Sequence, residues 1–193
     1  MIENTFVIFK PDALSRGLVG KITQTFEDAQ MTISEMKYIH FAEEKKLRQH
    51  YLKDDVWKNK VGGFVKSDYA KMGLDAKDFY GTDEAVKLGQ IVVDQLVTYL
   101  QAGPIIAMIL TGNNAVKVVR RLVGDVYEPA PGTIRASYSA DTKDLAALEK
   151  RSIINLLHAS GEVSEAKDEI SLWFPDFNPE KNARGNRIGG CCG

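Results

Sequence analysis

Two almost uninterrupted apolar runs, at residues 5–9 and 105–110, constrain the fold of this chain more than any other feature. Both runs are rich in β-branched or aromatic side chains, and neither alternates between polar and apolar residues as a half-exposed strand does. They therefore predict two strands that are buried on both faces. A sheet with such central strands needs other elements packed against each of its faces.

Helical and strand patterns surround these two runs. Residues 84–100 and 164–174 predict helices, the second with Ala166, Ile170 and Trp173 on one side. The other predicted elements are a helix that ends near residue 29, a strand over 31–41, a charged helix over 42–52, a helix capped by Asn113 or Asn114 that ends at Gly124, and a strand over 153–157. The weaker patterns predict short helices in an insertion over 53–84, a loop over 125–139 and an extra helical turn within 141–150.

The order of these elements indicates the fold class. It runs β-α-β-α, an insertion, α-β-α, a loop and β-α, which predicts an α+β sandwich with one four-stranded sheet covered by helices. A length of 193 residues suits one domain with a sizeable core. We expect that domain to cover residues 1–176, with insertions at about 53–90 and 140–150. The remaining residues, 177–193, are rich in Pro, Asn, Gly and Arg and predict a tail.

Charge and composition argue against several classes of protein. A net charge of −1 gives no electrostatic case for a nucleic acid or a membrane surface as the main partner. No apolar run reaches the length of a bilayer span, and the first residues do not have the pattern of a signal peptide. The two cysteines, Cys191 and Cys192, are adjacent and cannot cross-link a core. We therefore expect a reducing, cytoplasmic location.

His158 and Glu169 are the first candidates for chemistry. His158 follows a short apolar segment and precedes Ala159 and Ser160, whose small side chains leave room in front of it. Glu169 lies in the apolar stripe of the last predicted helix, where an unpaired carboxylate would be costly. The residues alone leave two interpretations open. One is a core histidine with a carboxylate that reaches water, and the other is a histidine oriented by the carboxylate for catalysis.

Two cationic side chains occur at sharp turns of the chain. Lys10 directly follows the first buried run and precedes Pro11, which ends the strand. A lysine there either marks the exit of the chain to solvent or contributes to a ligand site at the end of the sheet. Arg135 follows the Pro-Gly pair at 131–132, where an arginine has little structural reason to occur.

Eight segments occur in the order typical of one enzyme family. They are residues 6–12 (FVIFKPD), 16–20 (RGLVG), 50–51 (HY), 103–104 (GP), 116–124 with Arg120, 131–135 (PGTIR), 155–160 (NLLHAS) and 165–174 (EAKDEISLWF). On these segments the chain closely resembles the nucleoside diphosphate kinase family, outside 53–90, 138–152 and the tail. The resemblance implies a ferredoxin-like α/β sandwich with a four-stranded antiparallel sheet, which agrees with the predicted element order.

The resemblance implies transfer of the γ-phosphate of ATP, or of another nucleoside triphosphate, to a nucleoside diphosphate through a phosphohistidine. His158 matches the nucleophile of the family, and Glu169 matches the carboxylate that holds its other ring nitrogen. Ser160 matches the hydroxyl near that carboxylate, Tyr51 the tyrosine beside the histidine, and Asn155 the asparagine at the sugar. A neutral imidazole is already nucleophilic near pH 7, so it needs orientation more than deprotonation.

The resemblance also assigns a nucleotide site. Lys10, Arg120 and Arg135 match cationic phosphate ligands, which suits a reaction that depends on positioning and charge neutralisation. Val92 lies where the family places a base-stacking aromatic, and Val126 where it places a threonine that contacts phosphate. The family further implies Mg²⁺ held mainly through the nucleotide phosphates, and a homo-oligomer, either a hexamer or a tetramer built from dimers. The altered base-contact positions and the long insertions motivate an alternative, a catalytically inactive nucleotide-binding or scaffold protein of the same fold.

Overall fold

A computed structural model describes residues 2–51 and 54–179 of the chain. The predicted tail over 177–193 lies outside these residues except for its first three. The chain divides into two compact units. The strand unit takes the described residues of 1–40, 104–138 and 156–193, and the helical unit those of 41–103 and 139–155. Within the described ranges, none of the helices has the length and apolar character needed to cross a bilayer.

The elements follow one another as strands and helices in the predicted alternation. In chain order they are β1 Ile2–Phe9, α1 Pro11–Ser15, α2 Val19–Asp28, β2 Thr32–Ile39, α3 Glu44–His50, α4 Asp55–Lys71, α5 Ala76–Tyr80, α6 Ala85–Gln101, β3 Ile105–Asn113, α7 Ala115–Val123, α8 Ile134–Tyr138, α9 Lys143–Leu148, β4 Leu157–Ala159 and α10 Val163–Trp173. The strands form one four-stranded sheet in the order β2-β3-β1-β4. All neighbouring strands are antiparallel.

The two predicted central strands, β1 and β3, lie in the middle of this sheet and are buried along most of their length. Alternate residues of β1 face opposite sides. Val7 and Phe9 belong to a core cluster that includes Phe26 of α2 and Val119 of α7. Phe6 faces the other side, where its ring stacks on Trp173 of α10 with 6.0 Å between centroids. Helices therefore cover both faces of the sheet, as buried strands require.

The last strand differs from its prediction over 153–157. β4 spans only Leu157–Ala159 and pairs with β1 from Val7 to Phe9. The ladder ends at the bond from the Lys10 N–H to the Leu156 carbonyl, 2.8 Å long, because the chain enters a helix at Pro11. His158 therefore lies within the strand and not after it.

The first strand ends before Pro11, as predicted, but Pro11 also begins a short helix, α1, that was not predicted, since proline suits the first turn of a helix. Two smaller predictions in the strand unit need correction. The predicted loop over 125–139 contains α8. Asn114 precedes α7 but has a left-handed backbone and no capping hydrogen bond. The Val116 N–H of that first turn donates instead to the Glu3 carboxylate at 3.2 Å.

The helical unit contains α3, α4, α5, α6 and α9. The helix predicted over 84–100 is confirmed as α6, and the turn predicted within 141–150 is confirmed as α9. The prediction of only short helices over 53–84 was wrong, because α4 is 17 residues long. Trp57, Val61, Val65 and Tyr69 recur every four residues along it, but Gly62 and Gly63 lie among them, and Val56 and Phe64 are 78% and 51% exposed. A small core of Tyr69, Ala76 and Leu88 lies within this unit.

Candidate active site

His158 lies on the face of the sheet that α10 covers. It pairs with Ile8 in the antiparallel register of β4 and β1, and residues opposite each other in a sheet point to the same face. Phe6 shares that face, with 6.2 Å between its ring centroid and that of His158. Because α10 packs on the same face, its Glu169 can reach the imidazole.

A hydrogen-bonded chain joins His158, Glu169 and Ser160. The His158 Nε2 atom lies 2.7 Å from Oε1 of Glu169, and the Ser160 hydroxyl donates to Oε2 at 2.6 Å. Glu169 is only 5% exposed, so the two contacts compensate the burial of its carboxylate. The partner of Nε2 is thus a carboxylate and not a backbone carbonyl.

This geometry determines how the imidazole can react. The side chain of His158 is 18% exposed, whereas that of Glu169 is 6% exposed. A carboxylate that accepts from Nε2 favours the tautomer with its proton on Nε2, which leaves the lone pair on Nδ1. The arrangement suits a nucleophile. The carboxylate on the Nε2 side of the ring fixes the orientation of the imidazole and stabilises the positive charge that develops on it.

Two buried cations, Lys10 and Arg135, belong to the same unit. Each residue is 3% exposed. The pKa of the Lys10 ammonium is lowered from 10.5 to about 7, mainly by burial and also by the charge of Arg135, while the charge of Asp12 opposes the change. Because the two charges repel each other, an anionic ligand placed beside them would stabilise both.

Arg135 also ties three segments of the chain together. Its guanidinium donates to the carbonyl oxygens of Gly124 and Leu157, each at 2.6 Å. Arg120, at the end of α7, is an exposed residue whose Nη1 lies 3.5 Å from the carbonyl oxygen of Ala159. The two arginines therefore approach the carbonyls on either side of His158. The structure brings the predicted cations to the strand that carries the histidine.

The backbone from Gly124 to Thr133 sets the position of Arg135. Gly124 has a φ of 86°, and a Cβ atom there would lie 2.5 Å from Oγ1 of Thr133, so the site needs glycine. The Asp125 carboxylate accepts from the N–H groups of Glu128 and Tyr127, which lower its pKa. Val126 is half-buried in this turn. Because α8 begins after Thr133, Arg135 lies in a first helical turn and not in a loop.

Three residues that the resemblance assigned to the site belong to the helical unit. Tyr51 directly follows α3, is 7% exposed and contacts the ring of His50 with 4.6 Å between centroids. Asn155 is 6% exposed, and its backbone N–H donates to the Tyr99 hydroxyl at 3.1 Å. Val92 is half-buried in α6. Their roles at the site stay predictions.

The residue two before His158 has an unusual backbone. Leu156 is fully buried and has a φ of 70°, a left-handed conformation that costs an L-residue about 1–2 kcal/mol. Its N–H donates to Oδ2 of Asp12 at 3.1 Å. Sequence reasoning assigned no role to Asp12. A single sequence carries no signal for a contact between residues 144 positions apart.

Comparison with known proteins identifies the family. The model of the nucleoside diphosphate kinase family matches residues 3–67 and 69–178, so the chain belongs to this family. It is 42% identical to a nucleoside diphosphate kinase of Pyrobaculum aerophilum, over 90% of this chain and 95% of that protein. It is 33% identical to one of Gallus gallus, over 89% of this chain and 85% of that protein.

Solved structures agree with the fold. A crystal structure of an NDP kinase from Pyrobaculum aerophilum superposes with a TM-score of 0.88 at 40% identity, covering 93% of this chain and 98% of that one. A nucleoside diphosphate kinase structure from Borrelia burgdorferi has a TM-score of 0.70 at 24% identity, covering 95% of this chain and 96% of that one. The predicted family and the predicted ferredoxin-like α+β fold are both confirmed.

Proposed function

We propose that this protein is a nucleoside diphosphate kinase that transfers the γ-phosphate of a nucleoside triphosphate such as ATP to a nucleoside diphosphate. The reaction is ping-pong and passes through a phosphohistidine at His158. Membership of the family supports the activity. The observation that carries the assignment of the nucleophile is the 2.7 Å contact between Nε2 of His158 and the buried Glu169 carboxylate.

In the first half-reaction, the Nδ1 lone pair of His158 attacks the γ-phosphorus and forms an N–P bond. The bond from that phosphorus to the bridging oxygen breaks, and the nucleoside diphosphate leaves with the electron pair. The proton on Nε2 stays on the ring, and Glu169 stabilises the positive charge that the ring acquires. Ser160 holds Glu169 through its 2.6 Å hydrogen bond. The second half-reaction reverses these steps with a different nucleoside diphosphate.

Lys10, Arg120 and Arg135 neutralise the phosphate oxygens in this proposal. Phosphoryl transfer depends mainly on positioning and on stabilising charge spread over the equatorial oxygens. The pKa of Lys10, about 7 in the protein without nucleotide, rises when an anionic phosphate lies beside it. The lysine is therefore charged when substrate is bound.

The remaining assignments follow the family pattern. We propose that Tyr51 lies beside the histidine, that Asn155 contacts the sugar, that Val126 lies near the phosphates, and that Val92 takes the position next to the base. Valine offers the base an apolar contact but no aromatic ring for stacking.

Mg²⁺ is the metal that this reaction implies. It prefers oxygen ligands, but the described carboxylates around the strand that carries the histidine already have partners. Glu169 binds His158 and Ser160, Asp12 binds the Leu156 N–H, and Asp125 binds two backbone N–H groups. We therefore propose that the nucleotide phosphates hold Mg²⁺, which neutralises charge on the transferred group.

We also propose that residues 1–176 act as one catalytic domain, with insertions at about 53–90 and 140–150, in a cytoplasmic homo-oligomer. Tetramers or hexamers built from dimers are the assemblies expected. The exposed edge strand β2, on which Met36 and Tyr38 are 44% and 54% exposed, supports self-association. Light scattering coupled to size-exclusion chromatography would measure the assembly, and a monomeric mass would refute this part.

Incubation with γ-labelled ATP and Mg²⁺ tests the function. Native protein is expected to form an acid-labile phosphoenzyme that releases its label to added nucleoside diphosphate. His158→Ala should abolish labelling, whereas His40→Ala should not, since His40 is an exposed histidine at the end of β2. An unlabelled native protein would favour the inactive nucleotide-binding or scaffold alternative.

A further inference from the structure

The left-handed backbone of Leu156 needs an external restraint. A buried leucine with a φ of 70° is an outlier, because glycine and asparagine are the residues that commonly adopt this conformation. Such a conformation persists only where surrounding contacts determine it. Leu156 directly precedes β4 and lies two positions before His158.

Two hydrogen bonds supply that restraint. On one side, the Lys10 N–H donates to the Leu156 carbonyl at 2.8 Å as the last bond of the ladder between β1 and β4. On the other side, the Leu156 N–H donates to Oδ2 of Asp12 at 3.1 Å. The first bond uses only the backbone and tolerates any residue except proline at position 10. The second depends on one side chain.

We propose that Asp12 is a positioning residue for the phosphoryl-transfer reaction. Its carboxylate holds Leu156 in the left-handed conformation and so orients the His158 imidazole toward Glu169. This inference rests on the proposed function. It adds a residue that touches neither the imidazole nor Glu169 in the described contacts and acts through the backbone of β4.

The shortness of β4 makes this restraint important. The strand has three residues and, among the described strands, pairs with β1 alone, so the ladder alone resists displacement weakly. A slip of one residue would turn every side chain of a strand to the opposite face. For His158 that face is the one where Val7 and Phe9 pack, away from α10. Even a shift of about 1 Å in a catalytic group can lower a rate about 100-fold.

Asp12 could instead act electrostatically, because its negative charge favours the protonated form of Lys10. Two substitutions separate the possibilities. Asp12→Asn keeps an acceptor oxygen at nearly the same place and removes the charge. Asp12→Glu keeps the charge and moves the acceptor by about one C–C bond. Positioning predicts that the asparagine variant works and the glutamate variant fails, whereas electrostatic action predicts the reverse.

The experiment measures kcat and KM for nucleotide exchange in the full chain with Mg²⁺. Asp12→Ala and Asp12→Glu should lower kcat roughly 10- to 100-fold while KM stays within about threefold. Asp12→Asn should stay within about threefold of native kcat. Asp28→Ala, a change at an exposed aspartate at the end of α2, serves as the matched control and should leave both constants unchanged. Native kcat in the glutamate variant, or equal losses in the asparagine and alanine variants, would overturn the proposal.

Amide hydrogen exchange separates failure of this inference from failure of the proposed function. If Asp12 binds the Leu156 N–H, that amide should exchange at least about tenfold faster in Asp12→Ala than in native protein and Asp12→Asn. This readout does not require turnover. Unchanged protection in Asp12→Ala would reject the restraint even if the native enzyme forms a phosphohistidine. If Asp12→Ala does not fold, the asparagine and glutamate variants still decide between the two roles.

Discussion

The two units of the molecule differ in what they bury. The strand unit buries Lys10, Arg135 and Glu169, which are 3%, 3% and 5% exposed. Buried charges rarely stabilise a fold more than apolar side chains would, which agrees with the catalytic roles proposed for these residues. The helical unit instead brings two backbones together at glycines. The comparison therefore contrasts a unit that buries charged side chains with a unit that packs two helices at glycines.

The glycines of the helical unit lie where α4 and α6 touch. A Cβ atom on Gly62 would lie 1.8 Å from the carbonyl oxygen of Ala85, and one on Gly89 would lie 2.2 Å from that of Lys58. Either distance is far below van der Waals contact. Gly63, next in the same helix, has nothing within 4 Å of such an atom. Gly62 and Gly89 therefore permit the close approach, and Gly63 does not take part in it.

The largest expected effect concerns the charges of the strand unit. Arg135→Ala should lower kcat roughly 100- to 1,000-fold, about 3–4 kcal/mol in the barrier, because it removes a cation that faces developing phosphate charge. Arg135→Lys should recover only part of the rate, since an ammonium cannot match the planar fork that reaches the carbonyls of Gly124 and Leu157. Steady-state kinetics with thermal unfolding checks both. A native kcat in the alanine variant would show that Arg135 takes no part in the reaction, and it would weaken the contrast between the two units.

The second effect tests the packing of the helical unit. Gly62→Ala or Gly89→Ala should lower the free energy of unfolding by about 2–3 kcal/mol, because the new methyl group forces α4 and α6 apart. Gly63→Ala, the matched control, should raise it by about 0.5–1 kcal/mol, since alanine favours a helix interior over glycine. Urea denaturation measures all three. Equal changes at Gly62 and Gly63 would contradict a close backbone contact.

The third effect is a pH dependence specific to Lys10. Its pKa in the folded chain, about 7, is below the ordinary 10.5, so between these values the unfolded chain binds more protons and stability rises with pH. Below pH 7 Lys10 is protonated in both the folded and the unfolded chain, so the folded chain bears the full free-energy cost of burying the charge. The contribution should be about 1 kcal/mol from pH 7.5 to 8.5, measured as the difference between native protein and Lys10→Met. The same slope in both proteins would refute it.

The same shift predicts proton uptake when nucleotide binds. Near pH 8 most of the Lys10 side chains are neutral without ligand, and an anionic phosphate favours the charged form. Isothermal titration calorimetry in buffers of different ionisation enthalpy should detect up to about one proton taken up per site. Lys10→Met should abolish that uptake.

The smallest effect concerns the start of α4. Asp54 caps this helix by accepting from the Trp57 N–H at 2.8 Å, so Asp54→Ala should cost roughly 0.5–1 kcal/mol of stability. Asp54→Asn keeps the cap and should cost less. Neither change should alter kcat, as Asp54 belongs to the packing region. A loss of turnover without a loss of stability would show that the start of α4 takes part in the reaction.

Helices α4 and α6 show why the sequence predicted some elements and not others. Both are 17 residues long, but only α6 buries a continuous face of large apolar side chains. Periodicity detects a helix through that face. α4 has Trp57, Val61, Val65 and Tyr69 at intervals of four residues, but the glycine pair at 62–63 weakens this pattern. That spacing, with Asp54 as a local capping residue, was the sequence signal that could have indicated the helix.

The sequence by itself determined the central strands and the family, and it supplied the candidate residues of the site. Short uninterrupted apolar runs rich in β-branched residues favour strands buried on both faces, and a carboxylate in an apolar stripe needs a partner such as His158. The tertiary structure decided the start of β4, the contact of Arg135 with two carbonyls, the pKa of Lys10 and the restraint of Leu156 by Asp12. These properties depend on burial and on contacts between residues far apart in the chain, as with the 144 positions that separate Asp12 from Leu156. Local patterns carry no record of such contacts.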